Sequence, residues 1–296
     1  MEYNKKELLR GIIDIHIHSG PSVAPRSVDA VGMLRIAEEA EYKAIVIKDH
    51  YFPTMPVAEM IDKHFKNGDT RVFGGICLNN AIGAFNLNAI DTACAMGAKF
   101  VWMPTLSAKQ HIDTHRGRFV GAGNLQIPEE PLYYLDEQED LHPEVVEVLN
   151  LIAEHPGVVL GTGHASVKEL DRLIPKAFEL GISRLIINHP YFIVNASIDD
   201  VVRWANMGAY VELNGALFEG VTGSIKSPNI PMDLAIAYIE KIPIDRIIIA
   251  SDSGQKGSIL PDEVMFRFMC LLMDRGVSRS NIDMMTKITP AKLISI

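Results

Sequence analysis

The sequence predicts a (β/α)8 barrel of the TIM type, on three observations. Short runs rich in β-branched residues alternate with longer amphipathic stretches eight times along the 296 residues. The runs are apolar throughout, as strands of a parallel sheet covered on both faces are. No Gly-x-Gly-x-x-Gly follows the first run, so the phosphate-binding signature of a doubly wound open sheet, the competing architecture, is missing.

The elements follow in order. Strands are expected over Ile12–His18, Ala44–Lys48, Val72–Leu78, Phe100–Thr105, Val158–His164, Arg184–His189, Ala209–Asn214 and Arg246–Asp252. The helices that follow them are expected over Val28–Tyr42, Met55–Asn67, Asn86–Met96, Pro143–His155, Ser166–Leu180, Ile198–Met207, Pro231–Ile239 and Asp262–Arg275. Pro143 and Pro231 suit first-turn positions, where a missing N–H costs nothing, and Ser166 and Asp262 fall where helix starts are expected. Gly181, Gly208 and Gly276 follow helix ends, where a left-handed residue closes the last turn.

One connection breaks the rhythm. Residues 106–142, after the fourth strand, are polar, proline-bearing and poor in helix signals, and a loop of this length in a compact domain is expected to be a lid. Gly117–Gly121 within it suits a small hairpin. No repeat, linker or low-complexity tract divides the chain, so residues 1–296 are read as a single domain.

Composition narrows the class. A hydrophobic fraction of 48% supplies a large core, and a formal charge of −9 with no basic run argues against nucleic acid as a partner. No apolar stretch reaches membrane-spanning length, and the polar start Met1–Lys6 lacks the apolar core of a secretion signal. Three widely spaced cysteines, Cys77, Cys94 and Cys270, fit reduced thiols, and the expected location is the cytoplasm. Each is read as a small buried residue, with Cys77 alone, at a strand end, placed near a site.

In barrels of this kind the chemistry sits at the carboxyl ends of the strands. The first strand ends in His16-Ile17-His18; alternation puts both imidazoles on one face, with Asp14 behind them on that face. The second ends in Lys48-Asp49-His50, the fifth in Gly163-His164-Ala165, and the sixth in Asn188-His189-Pro190. The seventh ends in Glu212-Leu213-Asn214 and the eighth in Ser251-Asp252-Ser253. Ionisable groups closing buried apolar runs need partners, because desolvating them alone is costly. A rim gathering histidines and carboxylates from separate strands meets the requirement of a metal site.

With these residues the chain resembles the amidohydrolase superfamily of metal-dependent hydrolases, which are (β/α)8 barrels. The matching positions are His16-Ile17-His18, His164, His189 and Asp252, and Ile288–Leu293 resembles the helical terminal segment of many such enzymes. The resemblance implies that His16, His18 and Asp252 bind a divalent ion, with His164 a further ligand and His189 a ligand to a second ion or an orienting group. Zinc is the first expectation for one or two ions, with manganese or iron also fitting such a donor set. It also implies a metal-activated water that attacks a C–N or C–O bond, with Asp252 as proton acceptor and His189 stabilising the developing oxyanion.

The fourth strand departs from the pattern. It ends in Trp102-Met103-Pro104-Thr105, with none of the lysine or carboxylate that bridges two metals in binuclear members, which favours one ion. Lys48 and His50 share a face beside the first strand; Lys48 is assigned to contact an anionic substrate, activate a carbonyl or bridge metals as a carbamate, and His50 to the substrate. The segment Tyr42–His50 also resembles the second motif of the polymerase-and-histidinol-phosphatase phosphoesterases, which imply three metals in a seven-stranded barrel. Metal-dependent decarboxylation fits the same rim residues, and so does a non-catalytic barrel that binds a ligand.

The partner expected is a small molecule. His111, His115, Arg116 and Arg118 in the lid are positioned to bind a carboxylate or phosphate. Tyr51, Phe52, Tyr191 and Phe192 are candidates for apolar walls. Family relatives often assemble, so the resemblance also allows a homo-oligomer.

Overall fold

The structure is a computed structural model that describes residues 3–115, 122–222 and 228–296. Eight parallel strands pair in sequence order: β1 (Ile13–Ile17), β2 (Ala44–Ile47), β3 (Arg71–Cys77), β4 (Phe100–Trp102), β5 (Val159–Gly161), β6 (Leu185–Ile187), β7 (Tyr210–Asn214) and β8 (Ile247–Ala250). The ring closes at its carboxyl end, where Asp252 N donates to His16 O at 3.0 Å and His18 N to Ser253 O at 2.8 Å. These two bonds bring the first and last strands, and their functional side chains, side by side.

Helices cover the outside. After the short α1 (Lys5–Leu9) come α2 (Ala30–Glu39), α3 (Met55–His64), α4 (Leu87–Ala95), α5 (Lys109–Thr114), α6 (Pro143–Ala153), α7 (Val167–Glu179), α8 (Ile198–Met207), α9 (Met232–Lys241) and α10 (Pro261–Asp274). All eight expected strands and their helices are present. Most of the strands are shorter than predicted, trimmed at one or both ends. Local sequence fixes several helix starts: Ser166 and Ser197 each form a reciprocal capping box, with Glu169 and Asp200. Pro231 is the residue before α9 and not its first turn, and Pro261 starts α10 one residue ahead of Asp262.

Two apolar layers result. The larger lies between barrel and helices. The smaller fills the barrel with Ile13, Ile15, Val46, Phe100, Trp102 and Ile248, and is closed below by Leu293 and Ile294 of α12 (Thr289–Ile294), which follows α11 (Arg279–Asp283) and a π-helical turn. Trp102 dictates two glycines: a Cβ at Gly75 would lie 2.6 Å, and one at Gly161 2.2 Å, from its indole. The expected terminal helix is therefore the floor plug of the barrel.

Within residues 106–142, α5 is a six-residue helix, and Tyr134 anchors the far side of the segment. Its side chain is fully buried, and its hydroxyl lies 3.2 Å from Pro104 O and 3.1 Å from Thr162 O, both at strand ends. The hairpin expected at Gly117–Gly121 lies outside the described residues. No helix among the described residues is long and apolar enough to cross a membrane.

Candidate metal centre

The first strand does not alternate strictly. Ile13 and Ile15 face the barrel interior, Ile12 and Ile17 the helices, and the register against β2 shifts between Asp14 and Ile17. This irregularity inserts one residue into the inward count, as a bulge does, and so re-aims His16 and His18 into the barrel mouth. Asp14 is consequently not behind the histidines, as strict alternation predicted. Its Oδ1 accepts from Ser251 N at 3.0 Å and His16 N at 3.2 Å, its Oδ2 has no partner among the described residues, and burial pushes its carboxyl up to about 7.

His16 and His18 are each 1% exposed, and their second nitrogens are committed. His16 Nδ1 lies 3.1 Å from Glu212 Oε1, and His18 Nδ1 lies 3.0 Å from the Lys48 carbonyl. Both partners only accept, which favours a proton on Nδ1 and a lone pair on Nε2 in each ring, and the amide nitrogen of Asn214 also lies 3.3 Å from His16 Nδ1. Those Nε2 atoms converge on one oxygen, Asp252 Oδ1, at 3.3 Å from His16 and 3.2 Å from His18. Burial pushes His18 down to about 4, keeping it neutral. Burial opposes charge on Asp252, but His16, His18 and His189 beside it hold its carboxyl well below the usual carboxylate range.

Two lone pairs facing a carboxylate suit a cation between them. Ligand atoms of His16, His18 and Asp252 all lie within 4.8 Å of one another, so the three fit a divalent ion. The Glu212–His16 bond and the carbonyl–His18 bond are the outer contacts that orient imidazole ligands in metal sites. Lys48 approaches from the side: its Nζ lies 3.2 Å from His16 Nε2 and 5.3 Å from the Trp102 ring centre. The Lys48 side chain is fully buried.

The remaining histidines complete a ring around the mouth. Successive imidazole centres are 5.0 Å apart for His18–His50, 6.2 Å for His50–His164, 4.9 Å for His164–His189, 6.1 Å for His189–His16 and 5.2 Å for His16–His18. His164 and His189 thus stand next to the convergent trio, not inside it. Burial lowers His189 to about 4, and drives His50 and His164 well below the ordinary imidazole value, aided by neighbouring positive charge. His189 Nδ1 is buried without a partner among the described residues, and both His189 (φ 26°) and Asp252 (φ 50°) hold left-handed backbone, which is uncommon outside glycine. His50 is held by Thr105 Oγ1 at 2.9 Å.

The rim's remaining candidates separate individually. His111, on α5, reaches the rim and places its Nδ1 2.8 Å from His164 Nδ1, so it joins the imidazole cluster itself. His115 stacks on His111 at 4.8 Å. Tyr191 is buried and its hydroxyl accepts from Asn214 N at 2.7 Å; Phe192 packs 6.0 Å from His189. Phe52 is 64% exposed and walls nothing over the trio, whereas Tyr51 is buried and accepts from Gly123 N at 2.6 Å. Cys77 lies in the barrel's inner layer beneath the rim, and burial pushes its thiol up to about 12. Arg116 and Arg118 lie outside the described residues.

Glu212 and Asn188 have roles that strand-end position alone does not assign. Glu212 Oε2 accepts from Asn188 Nδ2 at 2.8 Å while its other oxygen holds His16, and Asn188 Oδ1 accepts from Gly163 N at 3.1 Å. The signal for them is in the sequence, since both end buried apolar runs, as the assigned ligands do.

Comparison with known proteins agrees with the fold. The model of a family of unknown function (DUF6282) matches residues 11–212. No protein of curated function matches. Among solved structures, the probable dipeptidase PvdM from Pseudomonas aeruginosa is similar over 98% of this chain and 96% of its own, at a TM-score of 0.64 and 11% identity. An amidohydrolase from Pseudomonas aeruginosa is similar over 99% and 98%, at 0.63 and 12%. Organophosphorus hydrolase from Deinococcus radiodurans is similar over 95% and 92%, at 0.58 and 12%. At these identities the likeness is one of fold.

Proposed function

The chain belongs to the DUF6282 family, and from that premise we propose that it is a metal-dependent hydrolase of the amidohydrolase type acting on a small molecule. The observation that carries the reading is the paired Nδ1 commitment of His16 and His18, which aims both Nε2 lone pairs at Asp252. The three residues would hold a divalent ion, zinc first, with His164 and His189 the nearest additional donors. When bound, such an ion supplies Lewis acidity and lowers the pKa of water at its open position.

The chain's own groups provide the rest. Asp252, held ionised, accepts the proton of the attacking water on its carboxylate. His189 is held neutral by burial and its Nδ1 has no partner among the described residues, which suits it to orient water or meet a developing oxyanion. Lys48, buried beside His16, directs its ammonium at the substrate's carbonyl oxygen or an anionic group. The fold of the three solved structures, described as a dipeptidase, an amidohydrolase and an organophosphorus hydrolase, supports hydrolysis as the reaction class. Eight strands in the barrel, rather than seven, weigh against a three-metal phosphoesterase.

Elemental analysis of the purified protein, together with assays on small amides, lactones and cyclic imides, tests this. About one ion per chain is expected, and His16→Ala or Asp252→Ala should abolish both metal retention and turnover while the fold persists. Stoichiometric metal retained in both variants would overturn the site, and about three ions per chain would favour the phosphoesterase.

A further inference from the structure

A cavity of about 340 Å³ opens beside the rim and has no part in the chemistry above. Tyr51, Leu106, Ile112, Leu125 and Ile127 make its walls apolar, and His111, His115 and Glu129 bring its polar groups. Tyr51 and Leu106 are buried with Ala24 in an apolar cluster separate from both core layers. Leu125 is 48% and Ile127 81% exposed, so apolar side chains border the cavity uncovered. The cavity adjoins the imidazole ring along one edge. Tyr51 follows His50 directly in the chain, His111 Nδ1 lies 2.8 Å from His164 Nδ1, and His50 and His164 are neighbours at 6.2 Å.

Glu129 gives this space its charge. No lysine or arginine lines the cavity among the described residues. Glu129 Oε2 is committed, accepting from Ser107 Oγ and, at 3.1 Å, from Asn80 Nδ2. The same Asn80 amide donates to Glu130 O at 2.7 Å, and Asn80 N donates to Ser107 Oγ at 2.9 Å, so the carboxylate is pinned from two sides. Its Oε1 accepts from none of the described residues. Burial raises the proton affinity of the Tyr51 hydroxyl and the Glu129 charge adds to it, so the field of the carboxylate reaches across to Tyr51. His115 stacks on His111 at 4.8 Å, and burial lowers its proton affinity, so it brings no fixed positive charge. The anion expected from the sequence at His111 and His115 would meet like charge here.

Resting on the hydrolase reading, we propose that this cavity is the side-group pocket of the substrate and takes an apolar group ending in a primary ammonium, which binds Glu129 Oε1. A cavity of this volume holds a small-molecule group, and its apolar walls take the carbon body. A fixed carboxylate oxygen with a spare lone pair accepts a strong, charge-assisted bond from an ammonium, and the Tyr51 ring is a second favourable surface for a cation. Oε2 alone braces the segment to Asn80 and Ser107, which leaves Oε1 for the ligand. The His50–His164 edge then lies between the side group and the metal trio, where the reacting bond belongs.

Titration with benzylamine, benzyl alcohol and benzoate, read by calorimetry and by ligand NMR line widths, tests the assignment on zinc-loaded and zinc-depleted protein. Benzylamine should bind about tenfold or more tighter than benzoate in both metal states. Glu129→Gln should weaken benzylamine about tenfold and leave benzyl alcohol within about twofold. Ala122→Trp, which fills the cavity, should weaken benzylamine and benzyl alcohol together. Far-UV circular dichroism and the melting temperature of each variant report the fold. Equal benzylamine affinity in wild type and Glu129→Gln, equal losses for benzylamine and benzyl alcohol in that variant, or benzylamine binding untouched by Ala122→Trp would overturn the proposal. Benzoate binding as tightly as benzylamine would overturn the choice of cation. Glu129-dependent benzylamine binding by the zinc-depleted protein stands even if the hydrolase reading fails, so the two fail separately.

Discussion

Replacing Glu212 with glutamine probes the centre without touching a metal ligand. Glu212 is 1% exposed and accepts on both oxygens, from His16 Nδ1 at 3.1 Å and from Asn188 Nδ2 at 2.8 Å. A glutamine has one accepting oxygen, so its amide must turn a donor toward either the His16 N–H or the Asn188 N–H. Flipping Asn188 to relieve the conflict would sacrifice its acceptance from Gly163 N at 3.1 Å. One buried donor is left unmet whichever way the amides turn, at about 1–3 kcal/mol. If the conflict falls on His16, the imidazole loses its fixed tautomer, and loss of such an outer contact lowers metal affinity on the order of 10–100-fold, or about 1.4–2.8 kcal/mol. Competition with a chromophoric zinc chelator measures the affinity, and thermal unfolding of the zinc-depleted protein measures the structural cost. Zinc affinity within about twofold of wild type would refute the idea that Glu212 orients a metal ligand, whatever happens to stability.

Two further outcomes follow from the packing. Gly161→Ala would place a methyl 2.2 Å from Trp102 Cδ1 and 2.9 Å from Asn188 Oδ1, so a loss of about 1–3 kcal/mol or more is expected in chemical denaturation. An unchanged midpoint would mean that Trp102 does not fill the barrel as described. Burial pushes Cys77 up to about 12 and Cys94 and Cys270 to about 11, so the thiolate fraction at neutral pH falls below that of a free cysteine. Native protein should therefore react slowly with a disulfide reagent at pH 8, Cys77 slowest, and all three promptly in denaturant; fast native labelling of Cys77 would contradict its burial.

The barrel was legible because its signals are local and periodic. Eight apolar runs and their intervening amphipathic stretches each state their own conformation, and chain order sets strand order when every connection is a right-handed crossover. The strand-end rule also exposed His16, His18, His50, His164, His189 and Asp252 together, since a polar group closing a buried run must find partners. Where sequence reasoning misplaced a side chain, the cause was a register shift. Period-two counting put Asp14 with the histidines, and the irregularity between Asp14 and Ile17 turned it outward toward Ser251.

Contacts between distant segments needed the fold itself. Which imidazole nitrogen carries its proton depends on Glu212, 196 residues from His16, and on the Lys48 carbonyl, 30 residues from His18. His111 and Arg26 belong to connections, whose path no periodicity dictates, and only the packed rim shows one beside His164 and the other bridging to Asp49. The sequence by itself determined the architecture and the chemical types gathered at the barrel mouth, because burial and chain periodicity act residue by residue. The tertiary structure decided tautomers and the contacts across the rim, because those depend on distances between groups that chain order leaves free.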